Sequence, residues 1–256
     1  MNVFQIFTNS PLRNFSYVIS FSNKDCYIID PYSKEDILPI CQKNSLSVLG
    51  IINTHEHHDH VQGNSEIVEE LGCKVYSHTE IAEQIPGFTN PLSEGMNLST
   101  TPNEDLLVVF TPGHTMAHIC LLGKENGVSK FLMTGDTVFV AGIGHCKKGG
   151  NPVLLYDTIT NHIQGLEDSI VIYPGHDYAQ KNLNFTLRWE PSNQEAKLAL
   201  AKAIELQNNG KFIDTSLEKE KAWNVFFRLD KVTNLPKELK TNKDKFLYLR
   251  KDRDQY

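Results

Sequence analysis

The chain has 256 residues, 40% of them hydrophobic, so it can bury a substantial core as one domain or as a core domain with a smaller appendage. Its formal net charge of -6 and its pI near 5.9 argue against a protein that binds nucleic acid. No apolar run approaches the ~20 residues that a membrane span requires, which argues against a membrane protein.

Up to about residue 176, short β-rich runs alternate with turns and helical stretches. The predicted strands are residues 3–7, 16–21, 26–29, 48–53, 74–77, 106–110, 119–122, 131–133 and 170–173. The predicted helices are residues 34–43, 65–71 and 153–166, the last following Pro152 at a tolerated first-turn position. This pattern predicts two mixed sheets packed face to face with helices outside.

Helical patterns replace strands after His176. Helices are predicted at residues 178–189, from a capping box at 192–195 to residue 208, at 217–227 and at 237–253. The sequence therefore predicts an α+β domain over residues 1–176 and a small all-α domain over residues 177–256.

The N-terminal sequence and the spacing of the cysteines both indicate a cytoplasmic protein. Residues 1–9 lack the basic head and long apolar stretch of a secretory signal. The five cysteines are odd in number, scattered and never spaced as Cys-x-x-Cys, so we expect reduced thiols and no thiolate metal site. We expect a cytoplasmic protein that is a monomer.

The sequence THEHHDH, residues 54–60, follows the predicted strand at residues 48–53 and places four imidazoles within six residues. Histidine and carboxylate are the usual ligands of zinc and related divalent ions. The end of a strand in a rigid sheet holds such ligands at a fixed angle. The motif therefore predicts a metal site in preference to a polar loop that is rich in histidine by chance.

Three later segments place further potential ligands directly after predicted strands. They are TPGHT with His114, TGDT with Asp136, and YPGHD with His176. Strand ends of packed sheets meet at one rim, so we expect these side chains to converge with those of residues 54–60.

The full set supplies five imidazoles and two carboxylates, which exceeds what one tetrahedral ion accepts. We therefore expect two divalent ions, with zinc preferred and iron or manganese as alternatives. The assignment is His55, His57 and His114 to one ion, Asp59, His60 and His176 to the other, and Asp136 as the bridge.

The THEHHDH motif with His114, Asp136 and His176 resembles the signature of the metallo-β-lactamase superfamily. This resemblance covers roughly the first 176 residues and implies an αβ/βα sandwich with a two-metal site on one edge. It does not fix the reaction, because the superfamily includes lactamases, lactonases, nucleases and redox enzymes.

Other segments are similar to the glyoxalase II (hydroxyacylglutathione hydrolase) family, which also carries an appended helical domain. They are GDTVFVAG at residues 135–142, GHDY at 175–178, NLNF at 182–185 and RKDRDQY at 250–256. The resemblance implies that Tyr178, Arg250 and Arg253 contact the glutathione part of the substrate.

One stretch departs from the family pattern. After AGIG at residues 141–144 the family often has a basic residue and, two positions on, an aromatic residue, both touching glutathione. Here the residues at those positions are His145 and Lys147, so the basic character is kept and the aromatic ring is lost. We expect both to line the substrate site.

Charge patterning fits the same carrier. Glutathione has two carboxylates and one ammonium, so its site needs a few cations in an otherwise acidic protein. Residues 237–253 contain seven basic and three acidic residues, and Arg250 and Arg253 share a helical stripe with Phe246 and Leu249. Such a run alone is also typical of a solvated helix end.

The resemblance implies an enzyme of methylglyoxal detoxification that hydrolyses the thioester of an S-(2-hydroxyacyl)glutathione, such as S-lactoylglutathione, to a 2-hydroxy acid and glutathione. A metal-activated hydroxide would attack the thioester carbonyl while Asp59, the expected catalytic residue, orients or deprotonates the nucleophile. The leaving thiolate, with a parent pKa of ~8.5, needs no strong general acid.

Three rival functions use the same scaffold. A lactonase or β-lactamase-like hydrolase would not need the arginine pair, and a persulfide dioxygenase-type oxidoreductase would hold a single iron and consume oxygen. A nuclease would show a basic surface and a phosphate-binding insertion, and neither is evident. A non-catalytic binding module is the least favoured, because it has no use for a full ligand set.

Overall fold

A computed structural model describes residues 1–256, which form two compact units. The first unit comprises Met1–Thr111 and Ala117–Gly135, and the second comprises Pro112–Met116 and Asp136–Tyr256. The domain boundary at residue 176 stays a prediction. None of the helices combines the length and hydropathy that a transmembrane span needs.

The first unit contains a six-stranded mixed sheet in which spatial order follows chain order. Its strands are β1 (Asn2–Phe7), β2 (Phe15–Ser20), β3 (Asp25–Ile29), β4 (Ser47–Ile52), β5 (Lys74–His78) and β6 (Asn90–Leu92). The strands β1 to β3 pair antiparallel, whereas β3 to β6 pair in parallel. Parallel strands need crossover connections, which place helices α1 (Lys34–Lys43), α2 (His58–Val61) and α3 (Asn64–Leu71) between them.

The core of this sheet explains why β4 is a rigid support. Ile51 and Ile52 are fully buried, and Ile51 packs in a cluster with Ile28, Ile37 and Ile67. Fully buried aliphatic side chains of this size each contribute about 1.5–3 kcal/mol relative to exposure. Residues that follow Ile52 therefore start from a fixed backbone position.

Three antiparallel strands complete the first unit: β7 (Glu104–Phe110), β8 (Ile119–Glu125) and β9 (Val128–Gly135). The amide of Ile119 donates to the carbonyl of Thr54 at 2.9 Å, which joins the start of β8 to the residues after β4.

The second unit is mostly helical, with two short strand pairs. The hairpin β10 (Val138–Phe139) and β11 (Gly142–Ile143) precedes helix α4 (Pro152–Thr158), and β12 (Val171–Pro174) pairs with β13 (Thr215–Ser216). The remaining helices are α5 (Ala179–Trp189), α6 (Gln194–Asn208), α7 (Leu217–Trp223) and α8 (Asn242–Arg253).

Helix boundaries follow the capping side chains. The predicted helix at 237–253 begins only at Asn242, because Thr241 and Asp244 form a capping box. The predicted helix at 217–227 is interrupted where the Asn224 side chain accepts a hydrogen bond from the amide of Phe226. The predicted helix at 153–166 changes to a π-helical turn at Ile159–Ile163. Besides its helices, the C-terminal region contains the strand β13, whose two residues are too few to give a strand pattern in the sequence.

Glu220 on α7 is fully buried among hydrogen-bond donors in the second unit. Its carboxylate accepts bonds from the amide of Ala141 and from the side chains of Thr215, Trp223 and Asn224. Burial raises the pKa of this carboxyl to about 7, because desolvation of the charge outweighs the four donors.

Glu220 should make stability depend on pH. A carboxyl whose pKa is about 7 in the folded state and 4.5 when unfolded contributes stability below pH 4.5 that is lost as the pH rises to 7. We expect Glu220→Gln to shrink the loss of unfolding free energy between pH 5 and pH 8, measured by urea denaturation. The control is Glu205→Gln on the exposed face of α6, and an equal pH dependence in both variants would contradict this assignment.

Candidate metal centre

The residues after β4 carry the first group of potential metal ligands. Asn53, Thr54 and His55 are buried, and His57 precedes the short helix α2, which carries Asp59 and His60. Because β4 pairs in parallel with both neighbours, these residues leave the sheet at the carboxyl edge of its parallel strands.

Hydrogen bonds select the tautomer of the neutral His55 ring. The Thr54 hydroxyl donates to Asp30 Oδ2 at 2.6 Å, so it can only accept from His55 Nδ1, at 3.0 Å. The Nε2 atom of His55 therefore carries a lone pair, and it lies 3.0 Å from Nδ1 of His57. Two nitrogens on one tetrahedral zinc lie about 3.3 Å apart, so this pair fits a shared ion.

Asp30 fixes His60 in the same way. Its Oδ2 accepts from His60 Nδ1 at 2.9 Å, and its Oδ1 accepts from the amide of Thr54 at 2.7 Å. The Nε2 atom of His60 is then the ring atom available to a metal ion, and it lies 3.5 Å from Oδ2 of Asp59. Asn14 donates to the same Asp59 oxygen at 2.7 Å.

The second unit holds the other three predicted ligands as one group. Nε2 of His114 lies 3.4 Å from Oδ2 of Asp136, and Nε2 of His176 lies 3.3 Å from Oδ1. All three side chains are buried. Each oxygen of the Asp136 carboxylate therefore faces one imidazole nitrogen.

Backbone packing fixes His114. Its Nδ1 donates to the carbonyl of His145 at 2.6 Å, which leaves Nε2 on the side of Asp136. A Cβ added at Gly144 would lie 1.9 Å from the carbonyl oxygen of Asp136 and 2.9 Å from His114 Nδ1. Only glycine therefore permits this close approach.

Residues 138–145, which lead away from Asp136, are held through their carbonyl groups by side chains from the helical region. Asn182 donates to Val140 at 3.0 Å, Asn224 to Gly142 at 3.1 Å, and Arg250 Nη1 to Ile143 and Gly144 at 2.9 and 3.0 Å. These bonds fix this loop, which consists of the hairpin β10–β11 and the two residues that follow it.

A cavity of about 310 Å³ lies beside this loop in the second unit. Tyr178 lines it and stacks on the donor His176, with ring centroids 4.8 Å apart and planes 6° apart. All five predicted substrate-binding residues line the cavity: His145, Lys147, Tyr178, Arg250 and Arg253.

Arg250, predicted from the sequence to contact substrate, is buried and hydrogen-bonded to other parts of the chain. It is 4% exposed, and besides its two carbonyl contacts its Nη2 donates to Asp254 at 2.9 Å. Its Nε atom is buried with no hydrogen-bond partner. Its contact with substrate stays a prediction.

Comparisons with known proteins identify the chain. Residues 10–176 match the family described as the metallo-beta-lactamase superfamily, and residues 177–256 match the hydroxyacylglutathione hydrolase C-terminus. A hydroxyacylglutathione hydrolase from Nitrosococcus oceani is 38% identical over 93% of this chain and 89% of its own length. One from a Polaromonas species is 36% identical over 90% of this chain and 86% of its own. The chain belongs to the hydroxyacylglutathione hydrolase family.

Solved structures place this family member in the expected fold. The crystal structure of ETHE1 from Myxococcus xanthus has a TM-score of 0.70 at 22% identity, covering 98% of this chain and 91% of that one. The predicted α+β metallo-β-lactamase fold, with two mixed sheets and a C-terminal helical domain, is confirmed. Membership of a hydrolase family confirms the prediction of an enzyme, and its His/Asp donor groups imply divalent metal ions.

Sequence reasoning missed Asp30 and Asn14, which hydrogen-bond to the predicted ligands His60 and Asp59 of this hydroxyacylglutathione hydrolase family member. Asp30 had a signal, because it directly follows the buried strand β3, as the predicted ligands follow their strands. Asn14 had none, since its contact with Asp59 spans 45 residues of chain. Asp30, His55 and His60 also place one potential ligand atom each within 4.8 Å of one another.

Asp30→Asn should weaken metal binding. The amide cannot accept every bond that the carboxylate accepts, so His60 loses its fixed tautomer, and such outer partners affect metal affinity by about 10–100-fold. We expect a loss in this range in competition titrations with a zinc chelator. Asp25→Asn, at the other end of β3, is the control and should match the wild type; an unchanged zinc affinity in Asp30→Asn would refute the positioning role.

Proposed function

We propose that this chain hydrolyses the thioester of S-(2-hydroxyacyl)glutathione, with S-lactoylglutathione as the reference substrate, to a 2-hydroxy acid and glutathione. The observation that carries the proposal is the cavity of the second unit. It is lined by Lys147, Arg250 and Arg253, and its Tyr178 stacks on the potential metal ligand His176. Cations suited to the carboxylates of glutathione thus lie beside a group suited to metal-assisted hydrolysis.

We propose two divalent ions, with zinc preferred over iron or manganese because nitrogen donors outnumber carboxylates. The proposed ligands are His55, His57, Asp59, His60, His114, Asp136 and His176. When bound, such ions lower the pKa of water toward ~7 and polarise a carbonyl group. The tautomers fixed by Thr54, Asp30 and the His145 carbonyl support this role, since each leaves a ring nitrogen deprotonated for ligation.

Asp59 is the proposed catalytic residue. Its Oδ2 is held by Asn14 at 2.7 Å, so the carboxylate has a defined direction in which to orient a nucleophilic water and accept its proton. The leaving group of a glutathione thioester is a thiolate with a parent pKa of ~8.5, so it departs without a general acid. Cation contacts in the cavity would hold the carrier during this step.

The domain assignment and cellular setting belong to the same proposal. Residues 1–176 would supply catalysis and residues 177–256 the glutathione-binding surface. The five cysteines, none in a disulfide and three of them buried, support a reducing cytoplasmic setting. We further infer a monomer, which light scattering coupled to gel filtration would test.

The decisive experiment measures hydrolysis of S-lactoylglutathione, a neutral thioester and a lactone on one sample of known metal content. We expect the highest kcat/KM on S-lactoylglutathione, with two metal ions per chain. Preference for the lactone would favour a lactonase, and oxygen consumption with a single iron would favour a dioxygenase.

Removal of one ligand from each group should abolish turnover. We expect His57→Ala and Asp136→Ala each to lower kcat by more than about 100-fold, because loss of a ligand exceeds the effect of losing an outer partner. Each should also bind less metal by elemental analysis. His162→Ala, at an exposed position of the second unit, is the matched control, and near-normal kcat in either ligand variant would contradict the assignment.

A further inference from the structure

Lys181 on α5 lines the same cavity, although no motif in the sequence pointed to it. Four cationic side chains surround this space, and Asp254 is the acidic residue among the lining groups. The cavity therefore has an excess of positive charge within a protein whose formal net charge is -6.

Asp254 already serves other partners. Its Oδ1 accepts from Arg250 Nη2 at 2.9 Å, and its backbone carbonyl accepts from Lys147 Nζ at 2.7 Å. Neither Lys181 nor Arg253 has a carboxylate within 4.0 Å, whereas Lys243 and Lys245 on α8 both do. Two cations of the cavity thus form no direct ion pair with a carboxylate of the chain.

Arg253 is held in place for such a role. Its Nη2 donates to Asn182 Oδ1 at 3.0 Å, and its guanidinium lies 5.8 Å from the ring centroid of Phe185 and 5.7 Å from that of Tyr256. Cation–π contacts of this kind orient the guanidinium without neutralising it. Burial, and then Arg253 and Lys147, lower the pKa of the Lys181 ammonium, as expected for neighbouring uncompensated cations.

We propose that Lys181 is a specificity-determining residue that, with Arg253, binds a carboxylate of the thiol carrier. This inference rests on the proposed function and assigns part of its substrate selectivity to a residue outside the family motifs named above. A carrier with free carboxylates would neutralise the pair, whereas an uncharged carrier would leave both cations unpaired. The enzyme should therefore discriminate between thioesters by the charge of the thiol part.

The test compares Lys181→Met, which keeps the apolar stem, with the wild type and with Lys251→Met. Lys251 is an exposed lysine of α8 outside the cavity lining, so the control removes the same charge. The substrates are S-lactoylglutathione and the lactoyl thioester of N-acetylcysteamine, which is uncharged. We expect Lys181→Met to raise KM for the first with kcat retained, so the ratio of the two kcat/KM values falls about fivefold.

Calorimetric titration with glutathione itself gives a second readout that does not need turnover. We expect Lys181→Met to weaken the Kd of glutathione about fivefold, and Lys251→Met to leave it unchanged. An unchanged selectivity ratio and Kd in Lys181→Met, or no glutathione binding by the wild type, would overturn the proposal. A wild type that binds glutathione but cleaves no thioester would instead refute the proposed function, while the Kd values would still decide the role of Lys181.

Discussion

The orientation of His55 and His60 in the first unit depends on the hydrogen bonds of one buried carboxylate, that of Asp30. A charge removed from water is tolerated only when donors surround it, and here the donors are the Thr54 amide, the Thr54 hydroxyl and the His60 ring. The same bonds that compensate for burial also join the end of β3 to the end of β4. The pairing of β3 with β4 thereby determines the orientation of the His55 and His60 rings.

In the second unit the backbone supplies hydrogen-bond acceptors and the side chains supply the donors. Its loop at residues 138–145 offers backbone carbonyls, and side chains of Asn182, Asn224 and Arg250 supply the donors. Glu220 completes the arrangement by accepting the amide of Ala141, whose φ of 56° is unusual for alanine. Side chains of the helical region thus position the loop that follows Asp136. The last residue of this loop is His145, whose carbonyl is bonded to His114.

The seven proposed ligands follow from the sequence because histidine and aspartate clustered after predicted strands are typical of metal sites, and their ligand role stays a prediction. The fold class followed from the same residues through family resemblance, and the α1 prediction at 34–43 agrees with the helix Lys34–Lys43. Short strands such as β10, β11 and β13 could not be predicted, since two residues show no alternation. Contacts such as Asn14 with Asp59, or Arg250 with Ile143, depend on side chains from distant parts of the chain, which local patterns do not report.

The departure from the family pattern at residues 145–148 leaves the orientation of the proposed ligand His114 unaffected. The part of His145 that orients His114 is its carbonyl oxygen, which any amino acid would provide, whereas its ring lines the cavity. A different side chain at this position would therefore change the lining of the cavity and leave the hydrogen bond to His114 in place. Gly144, one residue earlier, cannot be replaced in this way, because any side chain would collide with the Asp136 carbonyl. Two adjacent positions of one loop therefore differ in whether they accept a substitution.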